Sequence, residues 1–317
     1  MSDSLIPPMS VLDNLITTLE VNVVTLTECL VSPGWRLSFP AGERAGLHYN
    51  LKGRGLMVVG AASKIALVPH TFVITPPGQP FRIDAVVGQR AMPALKVVEE
   101  RRPWSAQPET IQRFVAGDGE PEVMMFCGYF RATYGTSIDL FAGLRAPIIE
   151  QFDAADQLVS KLQSVLAELA ARQVGMAAMT TALLKQVLVT LLRKSLNSTA
   201  VMLERFPMLS DPNIARAFAD MAARPGSPHS LLSLSRTANL SRSAFMARFA
   251  RAIGCPPMVA LRQLRMRHAA NLLMANILST EQIAQAVGYK SRSSFSRAFR
   301  QEHGADPSGY RVAAGHS

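Results

Sequence analysis

The sequence predicts an α+β chain: an antiparallel β-domain, then helices, then an all-α domain built from two copies of one bihelical unit. Three observations carry this. Short apolar or alternating runs punctuated by Gly and Pro fill residues 21–130, a helical period takes over beyond Asp139, and the last third repeats itself at an offset of 50 residues. The 317 residues are 48% hydrophobic and 18% charged, enough for more than one core, which excludes wholesale disorder. The texture sets the expected boundaries at 1–150 for the β-domain, 151–209 for a helical dimerisation or linker region, and 210–317 for the all-α domain.

The chain opens with Val11, Leu12, Leu15, Ile16 and Leu19 on one face of a short lead-in helix. VNVVTL, GWRLSF, LHYNL, GLMVVG, KIALV, TFVITP and VMMFCGYF follow as strands. Gly88 to Glu122 lacks alternation and reads as an exposed insertion or long loop. Phe152, Leu158, Leu162, Val165, Leu166 and Leu169 then fall on one side of a helix. A second run, from Met176 to Leu196, carries Leu183, Leu184, Val187, Leu188, Leu191 and Leu192 on a broad stripe. Such a stripe must be covered, either by the same chain's core or by a matching helix of a homodimer partner. Pro207, Asp211 and Pro212 mark a boundary, with Asp211 suited to cap a helix from Pro212 to Ala223.

Charge separates the parts. Residues 1–209 hold 19 Lys+Arg against 18 Asp+Glu, whereas residues 210–317 hold 14 against 5, so +9 of the net +10 lies in the last third. Thirteen of those 14 cations are Arg, whose planar fork suits phosphate oxygens and guanine edges, so nucleic acid is the expected partner. Cys29, Cys127 and Cys255 are odd in number and form no CxxC pair, which argues against a disulfide framework and fits reduced thiols in a cytoplasm. No uninterrupted apolar run reaches about 18 residues, so no membrane contact is expected. Paired carboxylates, a nucleophile beside a base, a Gly-rich phosphate loop and a complete metal-ligand set are all missing, so the chain does not read as an enzyme.

The repeat is detailed. Ser241, Arg242, Ser243, Phe245, Phe249, Gly254 and Pro257 recur as Ser291, Arg292, Ser293, Phe295, Phe299, Gly304 and Pro307, seven identities in 17 positions. Leu234 matches Ile283 at an offset of 49, so one unit has an extra residue in its turn. Each unit reads as helix, short turn, second helix, with Ser241 or Ser291 as N-cap and the phenylalanines, four apart, as one core-facing stripe. That leaves Arg242, Ser243, Met246 and Ala247 in the first unit, and Arg292, Ser293, Ser296 and Arg297 in the second, free to enter a groove. This is the docking mode of a helix-turn-helix. PPMVALRQLRMRHAANLLM between the units reads as one rigid helix of about 27 Å at roughly 1.5 Å per residue, comparable to the roughly 34 Å between successive major-groove turns. Arg292 is open to base or phosphate contact, and Arg265 is expected to form an internal ion pair.

At these residues the chain resembles the arabinose-regulator (AraC/XylS) family of bacterial transcription factors. The likeness spans about residues 211–313 and is most specific along IAQAVGYKSRSSFSRAFRQEHGADPSGYR. It implies two helix-turn-helix units reading double-stranded DNA through the eight positions named above. Met246 and Ala247 depart from the polar residues common there, which suits reading of methyl groups or shape. The N-terminal part is similar to the family's cupin-type sensor, implying a cupin-like antiparallel β-barrel that senses a small molecule or oxidant. Metal-holding cupins offer two histidines, a Glu and a later His; here His48 is followed by Asn50 and Arg54, with Phe81 near the last position, so neither metal nor cofactor is expected. Cys29 in CLVSPGWRL and Cys127 in MMFCGYF match cysteine placements in the reactive-chlorine-sensing branch, implying an alternative in which the pair is a redox switch. The stripe of the Met176–Leu196 run keeps a homodimer as the expected assembly, and the resemblance implies RNA polymerase as a candidate partner and activation rather than repression.

Overall fold

The computed structural model describes residues 9–85, 95–99, 112–135, 138–152, 160, 164, 174–195 and 211–314. By its internal contacts the chain divides into two units, one comprising Glu20–Ala132 and Phe141–Asn197, the other Met1–Leu19, Thr133–Leu140 and Ser198–Ser317.

The first unit is built on strands β1 (Glu20–Val31), β2 (Trp35–Phe39), β3 (Gly46–Lys52), β4 (Gly55–Val59), β5 (Ser63–Leu67), β6 (Thr71–Thr75), β7 (Phe81–Ala85), β8 (Lys96–Glu99), β9 (Gln112–Ala116), β10 (Val123–Tyr134) and, beyond the two-residue β11 (Ile138–Asp139), β12 (Ile148–Gln151). One sheet runs β12-β6-β3-β10-β1-β9 and the other β5-β4-β7-β2-β8. Alternation along the strands aims Cys29, Val31, Met125, Cys127 and Phe114 from the first sheet, and Leu37, Phe39, Met57, Ile65 and Ile83 from the second, into one shared core.

Seven of these strands are the runs read from sequence. The Gly88–Glu122 segment differs from the expected loop, because it contains β8 and β9, which add in parallel to β2 and β1. Both are edge strands, and a strand paired on one side only needs no strict alternation. Residues 86–94 and 100–111 lie outside the described residues. The short β7, buried but for Arg82, and β12, paired with β6, are also strands that the sequence pattern did not mark. The helix expected from Phe152 to Leu169 falls almost wholly outside the described residues; Phe152 itself is buried against Phe72. Helix α2 (Met176–Ser195) is the second predicted run, and Leu184, Val187, Leu188 and Leu191 of its stripe are buried, with the helix lying on β1. The question left open by the stripe is thus answered for these four residues within the chain.

The second unit is helical. Helix α1 (Met9–Thr18) precedes α3 (Pro212–Ala223), α4 (Leu231–Thr237), α5 (Arg242–Ile253), α6 (Pro257–Ala275), α7 (Thr280–Ala286), α8 (Arg292–His303) and α9 (Pro307–Ala314). Val11, Leu12, Leu15 and Leu19 of the N-terminal segment are buried, and α1 packs on α3. That contact explains why α3 buries Ala215, Ala217, Phe218, Ala219, Met221 and Ala222 nearly all round its axis. The end of β10 and the turn after it belong here too: Tyr134, the last residue of the strand, meets Phe218 edge-on with centroids 5.2 Å apart. Because Leu15 is 2% exposed, Leu15→Ala is expected to cost about 2–4 kcal/mol of stability, read as a lowered urea midpoint in the helical circular-dichroism signal. A change below about 0.5 kcal/mol, the size of an ordinary surface substitution, would show that α1 does not pack there.

Candidate nucleic-acid interface

The repeat resolves into caps and core. Ser241 Oγ accepts the Ala244 N–H and Ser291 Oγ the Ser294 N–H, so each second helix starts where the serine fills a free donor. Gly254 and Gly304 end these helices at φ 84° and 74°, the left-handed turn that favours glycine. Pro257 and Pro307 then open the next helices. Phe245, Phe249, Phe295 and Phe299 are all fully buried. Their rings meet in pairs, edge-to-face at 5.4 Å in α5 and tilted at 5.7 Å in α8. The first helices of the units, α4 and α7, both begin with a capping box, Ser230 with Ser233 and Ser279 with Gln282.

Both turns are closed in one way. Asn239 (φ 51°) and Gly288 (φ 79°) take the left-handed conformation. The next N–H reaches back five residues, Leu240 to the Ser235 carbonyl and Tyr289 to the Ala284 carbonyl. The second unit's extra turn residue follows this shared closure.

With the phenylalanines turned inward, the opposite faces of α5 and α8 face solvent. Arg242, Ser243, Met246, Ala247, Arg292, Ser293 and Arg297 are exposed and Ser296 is half-buried. No described residue pairs with Arg242, Arg292 or Arg297. Other arginines hold the unit together. Arg248 makes a two-pronged ion pair with Asp211, at 2.7 and 2.8 Å, while the same carboxylate caps α3 by accepting the Ile214 N–H. Arg311 donates to the Leu278 carbonyl, and Arg262 lies 3.9 Å from Glu302. Arg265 departs from the ion pair expected of it: its partners are the carbonyls of Pro225 and Ser227. A chain segment that turns its carbonyls toward a half-buried guanidinium satisfies it without a carboxylate. The role of Arg248 was missed because its partner lies 37 residues away, a separation at which no periodicity signals contact.

In the β-rich unit, His48 stands opposite Cys127 on neighbouring strands. Its Nε2 lies 3.2 Å from Thr75 Oγ1, and Nδ1 has no partner among the described residues. Burial lowers its pKa to about 3, so the ring is neutral near pH 7. Phe81 covers it edge-on at 4.4 Å, and Asn50 donates to the Gly53 carbonyl. Among the described residues, no three His, Cys, Asp or Glu side chains cluster as a metal site would require. Cys29 and Cys127 are both fully buried, and the structure brings them together. Burial first, then the hydrogen bond and charge coupling with Cys29, pushes the Cys127 thiol well up from its ordinary value. Cys255 is half-buried. No described helix is long and apolar enough to cross a membrane.

Two capped bihelical units on a shared connecting helix, preceded by a two-sheet β-unit, define a DNA-binding regulator with a separate cupin-like domain. Residues 234–313 match the model of a helix-turn-helix domain, and residues 10–197 match that of a cupin. The chain belongs to the AraC-type family of transcriptional regulators with an N-terminal cupin domain. It is 24% identical over 314 residues to the HTH-type transcriptional regulator MtrA of Neisseria gonorrhoeae, covering 97% of this chain and 99% of that one. It is 35% identical over 104 residues to RclR of Escherichia coli, described as an RCS-specific HTH-type transcriptional activator, covering 33% of this chain and 37% of the relative. With AlkR of Acinetobacter baylyi it shares 36% identity over 103 residues, 32% of this chain and 34% of that protein, so the match spans about a third of either relative's length. The crystal structure of the DNA-binding domain of AdpA with target DNA is 27% identical and covers 32% of this chain and 91% of that one, at a TM-score of 0.31.

Proposed function

We propose that the protein is a sequence-specific regulator, an activator, whose α5 and α8 enter successive major grooves of one duplex while the cupin-like domain senses a small molecule or oxidant. The observation that carries the reading is the outward face of the two second helices, where Arg242, Arg292 and Arg297 stand exposed above buried phenylalanines. α6 has 19 residues, about 28 Å at roughly 1.5 Å each, which suits a reach between neighbouring grooves. In the second unit Arg297 reads a base edge and Arg292 grips phosphate or base. In the first, Met246 and Ala247 offer apolar contact to thymine methyl groups. A homodimer follows from the apolar stripe of the Met176–Leu196 run and a cytoplasmic setting from the unpaired cysteines, while a contact with RNA polymerase rests on family membership.

A mobility-shift assay on the protein's own upstream region tests this. Binding is expected to be sequence-selective and to weaken steeply with salt. Arg297→Ala is expected to cost about 1–3 kcal/mol on the preferred site and to relax choice at one base position. If Arg297→Ala weakens every sequence equally, the protein is a non-specific architectural binder instead.

A second reading concerns the thiols and is favoured by their burial side by side in one core cluster. Hypochlorous acid would take two electrons from the Cys29–Cys127 pair, yielding the disulfide, chloride, water and a proton. The raised Cys127 pKa slows this, so the oxidant must be small and neutral enough to enter the core. After treatment with one equivalent of hypochlorous acid, mass spectrometry is expected to find a Cys29–Cys127 bridge and the shift assay a changed affinity. Two thiols that still alkylate fully on unfolding would eliminate the switch.

A further inference from the structure

The two bihelical units meet at a junction made of one loop, one turn and one arginine. The loop leads from α3 into α4 and belongs to the first unit: His229 Nε2 lies 2.9 Å from the Arg224 carbonyl, and Ser230 next to it caps α4. The turn, Val287 to Lys290, belongs to the second unit and leads directly into Ser291, the cap of α8. At this point backbone lies on backbone. A Cβ at Gly226 would stand 2.0 Å from the Ala286 carbonyl oxygen, and one at Gly288 would stand 2.7 Å from the Gly226 oxygen. No side chain fits at either position.

Arg265, midway along the connecting helix α6, closes the junction. Its Nε donates to the Pro225 carbonyl at 2.8 Å and its Nη2 to the Ser227 carbonyl at 2.9 Å, so two donors straddle Gly226. The same guanidinium sits over the Tyr289 ring, 6.0 Å from its centroid, and Nη2 lies 2.8 Å from where a Gly288 Cβ would be. One side chain therefore holds the loop of the first unit, the connecting helix and the turn of the second. Each unit has its own buried phenylalanine pair, so its internal packing does not depend on this contact. A helix fixes the distance between the units, whereas their rotation about it needs contacts that cross from one to the other.

We infer that Arg265, seated between Gly226 and Gly288, is a positioning residue that sets the angle between the two reading helices and thereby the half-site spacing the protein accepts. It touches no DNA. Shifting the Gly288–Tyr289 turn moves the start of α8, and with it Arg292 and Arg297, relative to α5. A rigid junction makes binding sensitive to spacing, because one inserted base pair turns the second half-site by about a tenth of a helical turn.

The inference rests on the DNA-reading proposal, and the test keeps the two apart. Full-length wild-type protein selects a preferred duplex from a random pool, the two contacted half-sites are mapped, and one base pair is inserted or removed between them. The wild type is expected to lose about tenfold or more in affinity on either change, the size of a typical mismatch penalty. Arg265→Met, which keeps an apolar stem and loses the donors, is expected to shrink that penalty below about threefold while base preference inside each half-site stays as in the wild type. Arg265→Lys keeps a donor and falls between. Gly226→Ala drives the loop off the Ala286 carbonyl with Arg265 intact and is expected to give the same relaxed spacing, so it carries the test should Arg265→Met unfold. If both variants weaken all spacings in equal proportion, Arg265 is merely structural and the inference is overturned. If the wild type enriches no sequence, the DNA reading itself fails.

Discussion

The outward faces of α5 and α8 exist because four phenylalanines are buried beneath them. Phe245 and Phe249 fix the rotation of α5 about its axis, and Phe295 and Phe299 do the same for α8. Truncating one such ring costs about 3–5 kcal/mol, against a total of about 5–15 kcal/mol for a typical domain. No competing rotation of either helix can make up that loss, so Arg242 and Arg297 face outward by default. The serine and glycine caps then set where each helix begins and ends. The residues shared by the two repeats are mostly these caps and rings, whereas Met246, Ala247, Ser296 and Arg297 differ between them. Such a pattern keeps one scaffold twice and leaves the outward face of each copy free to differ.

The positive charge divides along the same line. Arginines that meet carbonyls or carboxylates, such as Arg248, Arg265 and Arg311, are spent on the scaffold. Arg242, Arg292 and Arg297 have no described partner and carry the field that a phosphate backbone would meet. The +9 of the last third therefore overstates the charge available to DNA and understates how firmly the units are tied. In the β-unit the balance runs the other way. His48 is held neutral by burial, and Cys127 is held protonated by burial and its neighbour.

The legible parts of the sequence are those whose partners are local. Helix periods, serine caps and the phenylalanine pairs all act within a turn or two, so the helical repeat was readable residue by residue. Seven strands were readable from alternation, which reports a strand with one face on a core. β8 and β9 were not, because edge strands that join in parallel take their partners from 60 to 85 residues away. The lead-in helix was seen, but not its place on α3, some 200 residues later. Arg265 was read as an ion pair because sequence shows carboxylates and hides carbonyls. In the β-unit, the placement of Cys29 and Cys127 is legible only by resemblance, and only the fold puts both thiols in one core cluster.

Hydroxyl-radical footprinting on a selected duplex tests the central claim most directly. Two arms held on one rigid helix predict two protected windows on the same face, separated by about one helical turn of 10 base pairs, and Arg297→Ala is expected to weaken one window before the other. A single window, or protection that slides with sequence, would contradict the account.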